Sequence, residues 1–194
     1  TQKITVALAV LHIVQVSQAA DVTSKLDVIY AKYGERKVHL DLFSIAATKK
    51  SRPAIVLVHG GGWLKGNKTK FHPLAKDLAR RGYVVAAIEY RLGGEAKFPA
   101  AVHDCMASVR WLRANHKRLN IDPKRIAAVG GSAGGHLVGL MATASHLKQF
   151  QGKGGNANQS SRIFAAVVMA GPMVLDKGSV ARKSRKQPEK SNAN

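Results

Sequence analysis

The sequence predicts an α/β fold, built on a mostly parallel sheet with helices on both faces. Three runs, residues 54–58, 83–88 and 126–129, are apolar at nearly every position, as expected for parallel strands covered on both sides. Between them, residues 73–81 and 99–117 place apolar side chains at helical spacing. Strand, helix and strand therefore alternate as a parallel sheet requires. The 194 residues suffice for one such domain and not for two of ordinary size.

Two further regions are predicted to join the same sheet. Residues 28–30 and 37–43 surround Gly34 with alternating apolar and polar side chains, which predicts an antiparallel hairpin with one buried face. Residues 163–170 are apolar throughout and predict another strand that is buried on both faces. The Gly-, Asn-, Gln- and Ser-rich residues 148–162 predict a loop, either at the rim of a site or mobile.

A G-x-S-x-G turn follows the strand at residues 126–129 and opens a helix. It consists of Gly130, Ser132 and Gly134. A serine in so sharp a turn leaves no room for side chains two residues away on either side. The positive end of the helix would face the oxyanion that forms when this serine attacks a carbonyl. Ser132 is therefore a candidate nucleophile, although similar glycine turns also serve as plain connections.

A second glycine-rich turn, with the sequence H-G-G-G-W at residues 59–63, follows the strand at residues 54–58. Glycines directly after a buried strand let backbone N–H groups point into a cleft without obstruction, as an oxyanion hole requires. A phosphate-binding loop is the alternative, but neither G-x-x-x-x-G-K-[ST] nor G-x-G-x-x-G occurs here.

Together these motifs resemble the carboxylesterase branch of the α/β-hydrolase superfamily, in its hormone-sensitive-lipase-like and secreted acetyl-xylan-esterase-like members. The similarity extends over residues 28–171. The segments that carry it are residues 59–63, 89–92, 98–99, 104, 111–112, 121–123 and 131–137. The resemblance implies that the backbone N–H groups of Gly61, Gly62 and Ala133 form an oxyanion hole. It also implies that His59 is a structural histidine of the glycine loop.

The resemblance further implies a serine carboxylesterase that acts on short-chain or carbohydrate-linked esters. An acyl-enzyme would form at Ser132, without a cofactor. Amide-cleaving relatives share these motifs and differ from esterases only in their substrates. Two other function classes stay open, a catalytically silent remnant and a basic polyanion-binding protein whose tail carries the function.

The catalytic triad is incomplete in this sequence. In the superfamily the serine is followed along the chain by Asp or Glu and then by His, and no histidine follows Asp176 or Glu189. We therefore expect residues 21–175 to be an incomplete α/β-hydrolase domain, truncated or frame-shifted on its C-terminal side. Translation of the downstream DNA in three frames tests this expectation, which the lack of an Asp and a Gly-His there would contradict. Residues 176–194 are rich in Lys, Arg, Ser and Asn and predict a disordered basic tail.

The histidines within the domain are poor candidates for the missing base. His136 lies one helical turn beyond Ser132 and is expected to point toward the base of its helix, away from the cleft. His103 and Asp104 are adjacent on a helix, so their side chains diverge and Asp104 is expected to be structural. The eight histidines and the single cysteine, Cys105, show no metal-ligand spacing, so no metal site is expected.

The chain is strongly basic, with 31 Lys and Arg against 11 Asp and Glu and a net charge of +20. A basic surface along the whole chain indicates weak affinity for polyanions. The alternative is that proteins of the source organism are basic in general. The basic surface does not indicate a dedicated nucleic-acid site.

Residues 1–20 predict an export signal. Lys3 precedes an apolar run at residues 4–16, and residues 17–19 fit the small-x-small pattern before a cleavage point. The run is too short to span a membrane, and a buried amphipathic helix is the alternative. We therefore expect a secreted or periplasmic protein without a transmembrane segment.

Overall fold

The structure is a computed structural model and describes residues 21–47 and 49–175. The predicted export signal at residues 1–20 and the predicted basic tail at residues 176–194 lie outside the described residues.

Six strands in the described part of the chain form one mixed sheet. Their bounds are Thr23–Tyr33 (β1), Arg36–Ser44 (β2), Arg52–Val58 (β3), Val84–Ile88 (β4), Ile121–Gly131 (β5) and Ala165–Met169 (β6). Across the sheet the order is β1-β2-β4-β3-β5-β6. The β1/β2 and β2/β4 pairs are antiparallel, whereas β4/β3, β3/β5 and β5/β6 are parallel. The predicted hairpin and the mostly parallel sheet are thus confirmed.

Helices cover both faces of this sheet, as predicted. They span His72–Arg80 (α1), Ala100–Ala114 (α2), His116–Leu119 (α3) and Ala133–Ala144 (α4). Ile55 and Leu57 of β3 share an apolar core with α1, whereas Val56 belongs to a larger core that includes Met106 of α2 and Met141 of α4. Neighbouring residues of a strand point to opposite faces, so β3 is covered on both sides. None of the helices in residues 21–47 and 49–175 is long and apolar enough to cross a membrane.

A buried ion pair joins α2 to the segment after β4. Asp104 is 0% exposed, and its Oδ1 lies 2.9 Å from Nη2 of Arg91. The backbone N–H of Arg91 donates to Oδ2 of the same carboxylate at 2.7 Å. Burial by itself lowers the pKa of Arg91, but the hydrogen bonds and the charge of Asp104 raise it overall. The structural role expected for Asp104 is confirmed.

The loop before β6 lies along α2. Arg110 donates to the carbonyls of Gln151 at 2.7 Å and Gly155 at 3.1 Å, and Arg113 donates to that of Arg162 at 2.8 Å. The sequence predicts that this segment either lies at the rim of a site or is mobile. In the structure, two arginines of α2 hold much of its backbone in place.

The surroundings of β6 differ from the prediction. The apolar run at residues 163–170 predicts a strand buried on both faces, yet every residue of Ala165–Met169 is exposed. The strand pairs with β5 on one side and is last in the strand order, so no described strand pairs with its outer edge. The prediction of the strand is correct, but within the described residues the strand lacks the cover on both faces that its apolar composition predicts.

We expect Asp104→Ala to lower the free energy of unfolding by about 3–5 kcal/mol, because the substitution leaves the Arg91 guanidinium largely buried without its carboxylate. Urea unfolding followed by circular dichroism measures the loss. The matched control is Asp77→Ala, which removes an exposed ion pair with Arg80 on α1 and should cost little. Equal losses in the two variants would contradict the structural role of the Arg91–Asp104 pair.

Candidate active site

Ser132 lies between β5 and α4 in a backbone conformation that side-chain-bearing residues rarely adopt. Its φ is 54° and its ψ is −120°. Such a residue costs about 1–3 kcal/mol of strain, which the surrounding structure must hold. The N–H of Ser132 donates to the carbonyl of Met169 at 2.8 Å, and its carbonyl accepts from the N–H of His136 at 3.1 Å. The serine is exposed, so the turn presents its hydroxyl at the protein surface.

The glycines around Ser132 are required by backbone contacts. A Cβ on Gly130 would lie 2.3 Å from the carbonyl oxygen of Gly134, and a Cβ on Gly134 would lie 2.1 Å from that of Val58. Both distances are far shorter than a real carbon–oxygen contact, and carbonyl groups within a sheet and a helix cannot move aside. The crowding predicted from the G-x-S-x-G spacing is therefore present in the fold.

The glycine loop at residues 59–63 lies directly against this turn. β3 and β5 are neighbouring parallel strands in which Val58 pairs with Gly130, so the segments that follow them leave the sheet side by side. A Cβ on Gly60 would lie 3.1 Å from the Cβ of Ser132 and 2.6 Å from the carbonyl oxygen of Gly131. The two motifs, far apart in sequence, meet at one edge of the sheet.

Two backbone N–H groups of the glycine loop, those of Gly61 and Gly62, are available to a ligand. The carbonyl of Gly61 accepts from the N–H groups of Leu64 at 3.2 Å and Lys65 at 3.1 Å, which closes the turn. Within residues 21–47 and 49–175, the N–H groups of Gly61 and Gly62 donate to no protein acceptor. Ala133 occupies the first turn of α4, where N–H groups have no acceptor within the helix. These three donors can therefore serve a ligand.

His59 is enclosed beneath the glycine loop. It is 1% exposed, its Nδ1–H donates to the carbonyl of Gly60 at 2.9 Å, and its ring stacks on Tyr90 at 4.3 Å. The Tyr90 hydroxyl donates to the carbonyl of His59 at 3.0 Å. Burial lowers the pKa of His59 and favours the neutral ring. This arrangement agrees with the structural role expected from the sequence.

His136 does not point away toward the base of its helix as expected. Its ring meets that of Trp63 edge-on, with the centroids 5.4 Å apart. Burial lowers its pKa, and its Nδ1 is buried without a hydrogen-bond partner in the described residues. Within the described residues, no hydrogen bond joins the side chains of His136 and Ser132. We therefore still expect that His136 is not the catalytic base.

An apolar cavity of about 280 Å³ adjoins His136. Its other large lining residues are Trp63, Arg91, Phe98, Leu137 and Leu175, and all of these except Arg91 are apolar. No pattern in the sequence indicates this cavity, because its walls come from four separate segments, which are the glycine loop, the segment before α2, α4 and the end of the described chain. The cavity places an apolar surface beside the helix that Ser132 opens.

Two histidines in the described residues are paired with carboxylates, and neither is hydrogen-bonded to Ser132 there. Nε2 of His72 lies 2.7 Å from Oδ2 of Asp41, and Nδ1 of His39 lies 3.1 Å from Oε1 of Glu89. Asp41 belongs to β2, which β4 and β3 separate from β5, a distance of about 14 Å at the usual strand spacing. The sequence does not indicate these pairs, because Asp41 and His72 are 31 residues apart and His39 and Glu89 are 50 residues apart.

The order of the sheet, the strained serine between β5 and α4, and the adjoining glycine loop define an α/β-hydrolase. A family model described as BD-FAE matches residues 40–193. The chain belongs to this family, and its relatives place it among the α/β-hydrolases of the carboxylesterase and lipase type.

Individual relatives agree with this assignment. The "Probable carboxylic ester hydrolase LipM" of Mycobacterium tuberculosis is 36% identical over 148 residues, which are 75% of this chain and 34% of LipM. The butyrate-bound structure of Thermogutta terrifontis esterase 2 is 31% identical with a TM-score of 0.70, over 82% of this chain and 56% of that one. The same esterase phosphorylated by paraoxon is 29% identical with a TM-score of 0.71, over 79% and 59% of the two chains. This chain therefore spans about a third of LipM and little more than half of the Thermogutta esterase.

Gly134→Ala tests the contact between the serine turn and β3. Helix propensity alone favours alanine by about 1 kcal/mol, whereas the new Cβ meets the carbonyl of Val58. We expect the steric effect to prevail and the free energy of unfolding to fall by about 1–3 kcal/mol. Urea unfolding provides the measurement. Gly94→Ala is the control, since a Cβ there meets nothing within 4 Å, and a Gly134→Ala variant as stable as the wild type would refute the close contact.

Proposed function

We propose that this chain is the nucleophile-bearing part of a serine carboxylesterase. The observation that carries the proposal is the position of Ser132, exposed and strained beside the free N–H groups of Gly61 and Gly62. A serine at such a turn next to unpaired backbone donors is the arrangement that acyl transfer needs.

In the proposed reaction the Oγ of Ser132 attacks the carbonyl carbon of an ester. The developing oxyanion accepts hydrogen bonds from the N–H groups of Gly61, Gly62 and Ala133, and loss of one such donor typically costs 10²–10³-fold in rate. The alcohol then leaves with a proton, and an acyl-enzyme remains on Ser132. Attack by water releases the carboxylic acid and restores the serine.

The reaction also needs a group that accepts the proton of Ser132. Within residues 21–47 and 49–175 no histidine or carboxylate is hydrogen-bonded to its hydroxyl. An oxyanion hole and substrate binding alone can leave a residual rate of about 10³–10⁴-fold over water. Residual activity is therefore what we propose for this chain, and a catalytically silent remnant is the competing outcome.

Support for an ester substrate comes from the relatives. Thermogutta esterase 2 is described with butyrate bound and as phosphorylated by paraoxon, and organophosphates of this kind modify activated nucleophiles. We propose short-chain esters, or short acyl groups on carbohydrate, as the substrates of this chain. The apolar cavity between Trp63 and Phe98 has a surface suited to a small acyl or aryl group.

We further propose that the protein is exported through residues 1–20 and that its basic surface binds polyanions weakly. The composition of the first twenty residues and the net charge of +20 support these two proposals. N-terminal sequencing of the protein recovered outside the cytoplasm checks the first, and a leader retained intact would contradict it.

Ser132→Ala should slow the hydrolysis of a short-chain aryl ester such as 4-nitrophenyl acetate, because the variant lacks the attacking oxygen and keeps only what the oxyanion hole and substrate binding contribute. The matched control is Ser51→Ala, an exposed serine that precedes β3 and so lies at the opposite end of that strand. Initial rates measured by absorbance compare the three proteins. Parallel assays with a formamide and a peptide distinguish an esterase from its amide-cleaving relatives.

A fluorophosphonate probe adds a readout that does not require turnover. Mass spectrometry should find the label on Ser132 in the wild type and in Ser51→Ala. If wild type and Ser132→Ala hydrolysed the ester equally and Ser132 carried no label, the proposal would be rejected. The chain would then be a catalytically silent remnant.

A further inference from the structure

A second cavity, of about 630 Å³, lies beside the apolar cavity and differs from it in charge. We call it the basic cavity. Its lining residues are Tyr33, Arg91, Ala96, Lys97, Pro99, Ala100, His103, Lys148, Gln149, Gln151, Gly152 and Lys153. Arg91 and Ala96 also line the apolar cavity, so the two cavities share a wall. The volume lies within the range of small-molecule sites.

The positive charge of the basic cavity comes from three lysines. Lys97, Lys148 and Lys153 are exposed, and within residues 21–47 and 49–175 none of them forms an ion pair. Arg91 adds little, because its charge is already compensated by Asp104. No Asp or Glu is among the lining residues. Like charges repel one another across a cavity, so an anion at its centre would be attracted by all three lysines.

The backbone that carries two of these lysines is held in place. Nε2 of His103 lies 2.8 Å from the carbonyl of Gln149, and Nη1 of Arg110 donates to the carbonyl of Gln151 at 2.7 Å. Both contacts tie the segment between Lys148 and Lys153 to α2. A ligand would therefore not have to order this segment when it binds, which reduces the entropic cost of binding.

The wall between the two cavities is also well defined. The guanidinium of Arg91 lies 3.4 Å from the centroid of the Tyr33 ring, and its hydrogen bonds to Asp104 fix it from the other side. Phe98, which lines the apolar cavity, packs edge-on against Phe150 at 5.9 Å between ring centroids. A molecule that extends past Arg91 from one cavity into the other would place one end among apolar side chains and the other among lysines.

We propose that the basic cavity binds the carboxylate, sulfate or phosphate group of an anionic ester substrate whose apolar part lies in the adjoining apolar cavity, beside the helix that Ser132 opens. The proposal rests on the proposed esterase function and adds a substrate class to it. Specificity arises because a neutral ester leaves the three lysines without a counter-charge, whereas an anionic one contacts them together. Since the lysines are exposed, the preference weakens as salt is added.

The test compares two triple variants of equal net charge. Lys97→Gln/Lys148→Gln/Lys153→Gln removes the lysines of the basic cavity. The control substitutes glutamine for three exposed lysines elsewhere, which are Lys37, Lys76 and Lys124. Calorimetric titration at low salt uses glucose 6-phosphate, glucose and inorganic phosphate as probes.

Glucose 6-phosphate should bind more tightly than glucose. Its affinity should fall about tenfold in the cavity variant, as the loss of three exposed ion pairs implies, and stay within about twofold in the control. If the affinity for glucose 6-phosphate fell equally in both variants, the loss would come from net charge alone and the proposal would be overturned. Inorganic phosphate should likewise lose affinity in the cavity variant alone. Glucose bound as tightly as glucose 6-phosphate would also overturn the proposal, since the phosphate group would then add nothing to binding.

A kinetic arm separates this proposal from the proposed function. The ratio of kcat/KM for a nitrophenyl ester that carries a carboxylate to that for nitrophenyl acetate should fall in the cavity variant alone. An unchanged ratio overturns the substrate class while the esterase stands. Failure of both esters to react overturns the esterase and the substrate class together, and the calorimetric result then decides whether the cavity binds anions at all.

Discussion

The close approach of two backbone segments at the carboxyl ends of β3 and β5 is the constraint on which the rest of the structure depends. Gly60, Gly130 and Gly134 each lie so near a neighbouring carbonyl that a single added carbon would overlap it. Because the segments after β3 and β5 touch, the glycine loop and the serine turn form one surface. Without that contact, Ser132 would be an exposed serine with no donors beside it.

The strain at Ser132 persists because other parts of the fold hold the turn from several sides. Met169 at the end of β6 accepts its N–H, and α4 begins at the next residue. Beneath the glycine loop, His59 and Tyr90 stack and hydrogen bond to the backbone rather than to a ligand. The buried polar groups near the site are thus used to position backbone, and the Ser132 hydroxyl itself has no hydrogen-bond partner within the described residues.

Charge is distributed differently on the two sides of the shared cavity wall. The largely buried guanidinium of Arg91 has its charge compensated by Asp104 and forms a fixed part of the wall. The three lysines on the other side of this wall form no ion pair within the described residues. A net charge of +20 makes basic patches common, and a general excess would not by itself indicate a site. What singles out the basic cavity is that its three lysines line one open depression next to an apolar cavity, and that two of them lie on a segment tied to α2.

The sequence by itself determined the strands, the helices on both faces and the two glycine motifs. Apolar periodicity and glycine spacing are local properties, and a backbone contact that tolerates only hydrogen leaves its mark at particular positions such as Gly130 and Gly134. The tertiary structure alone decided the exposure of β6, the contact of His136 with Trp63, and the position of residues 148–153 beside Arg91. Each of these depends on which distant segments become neighbours. The sequence does not show whether an apolar run or a lysine contacts protein, ligand or water, because that contact is made only in the folded chain.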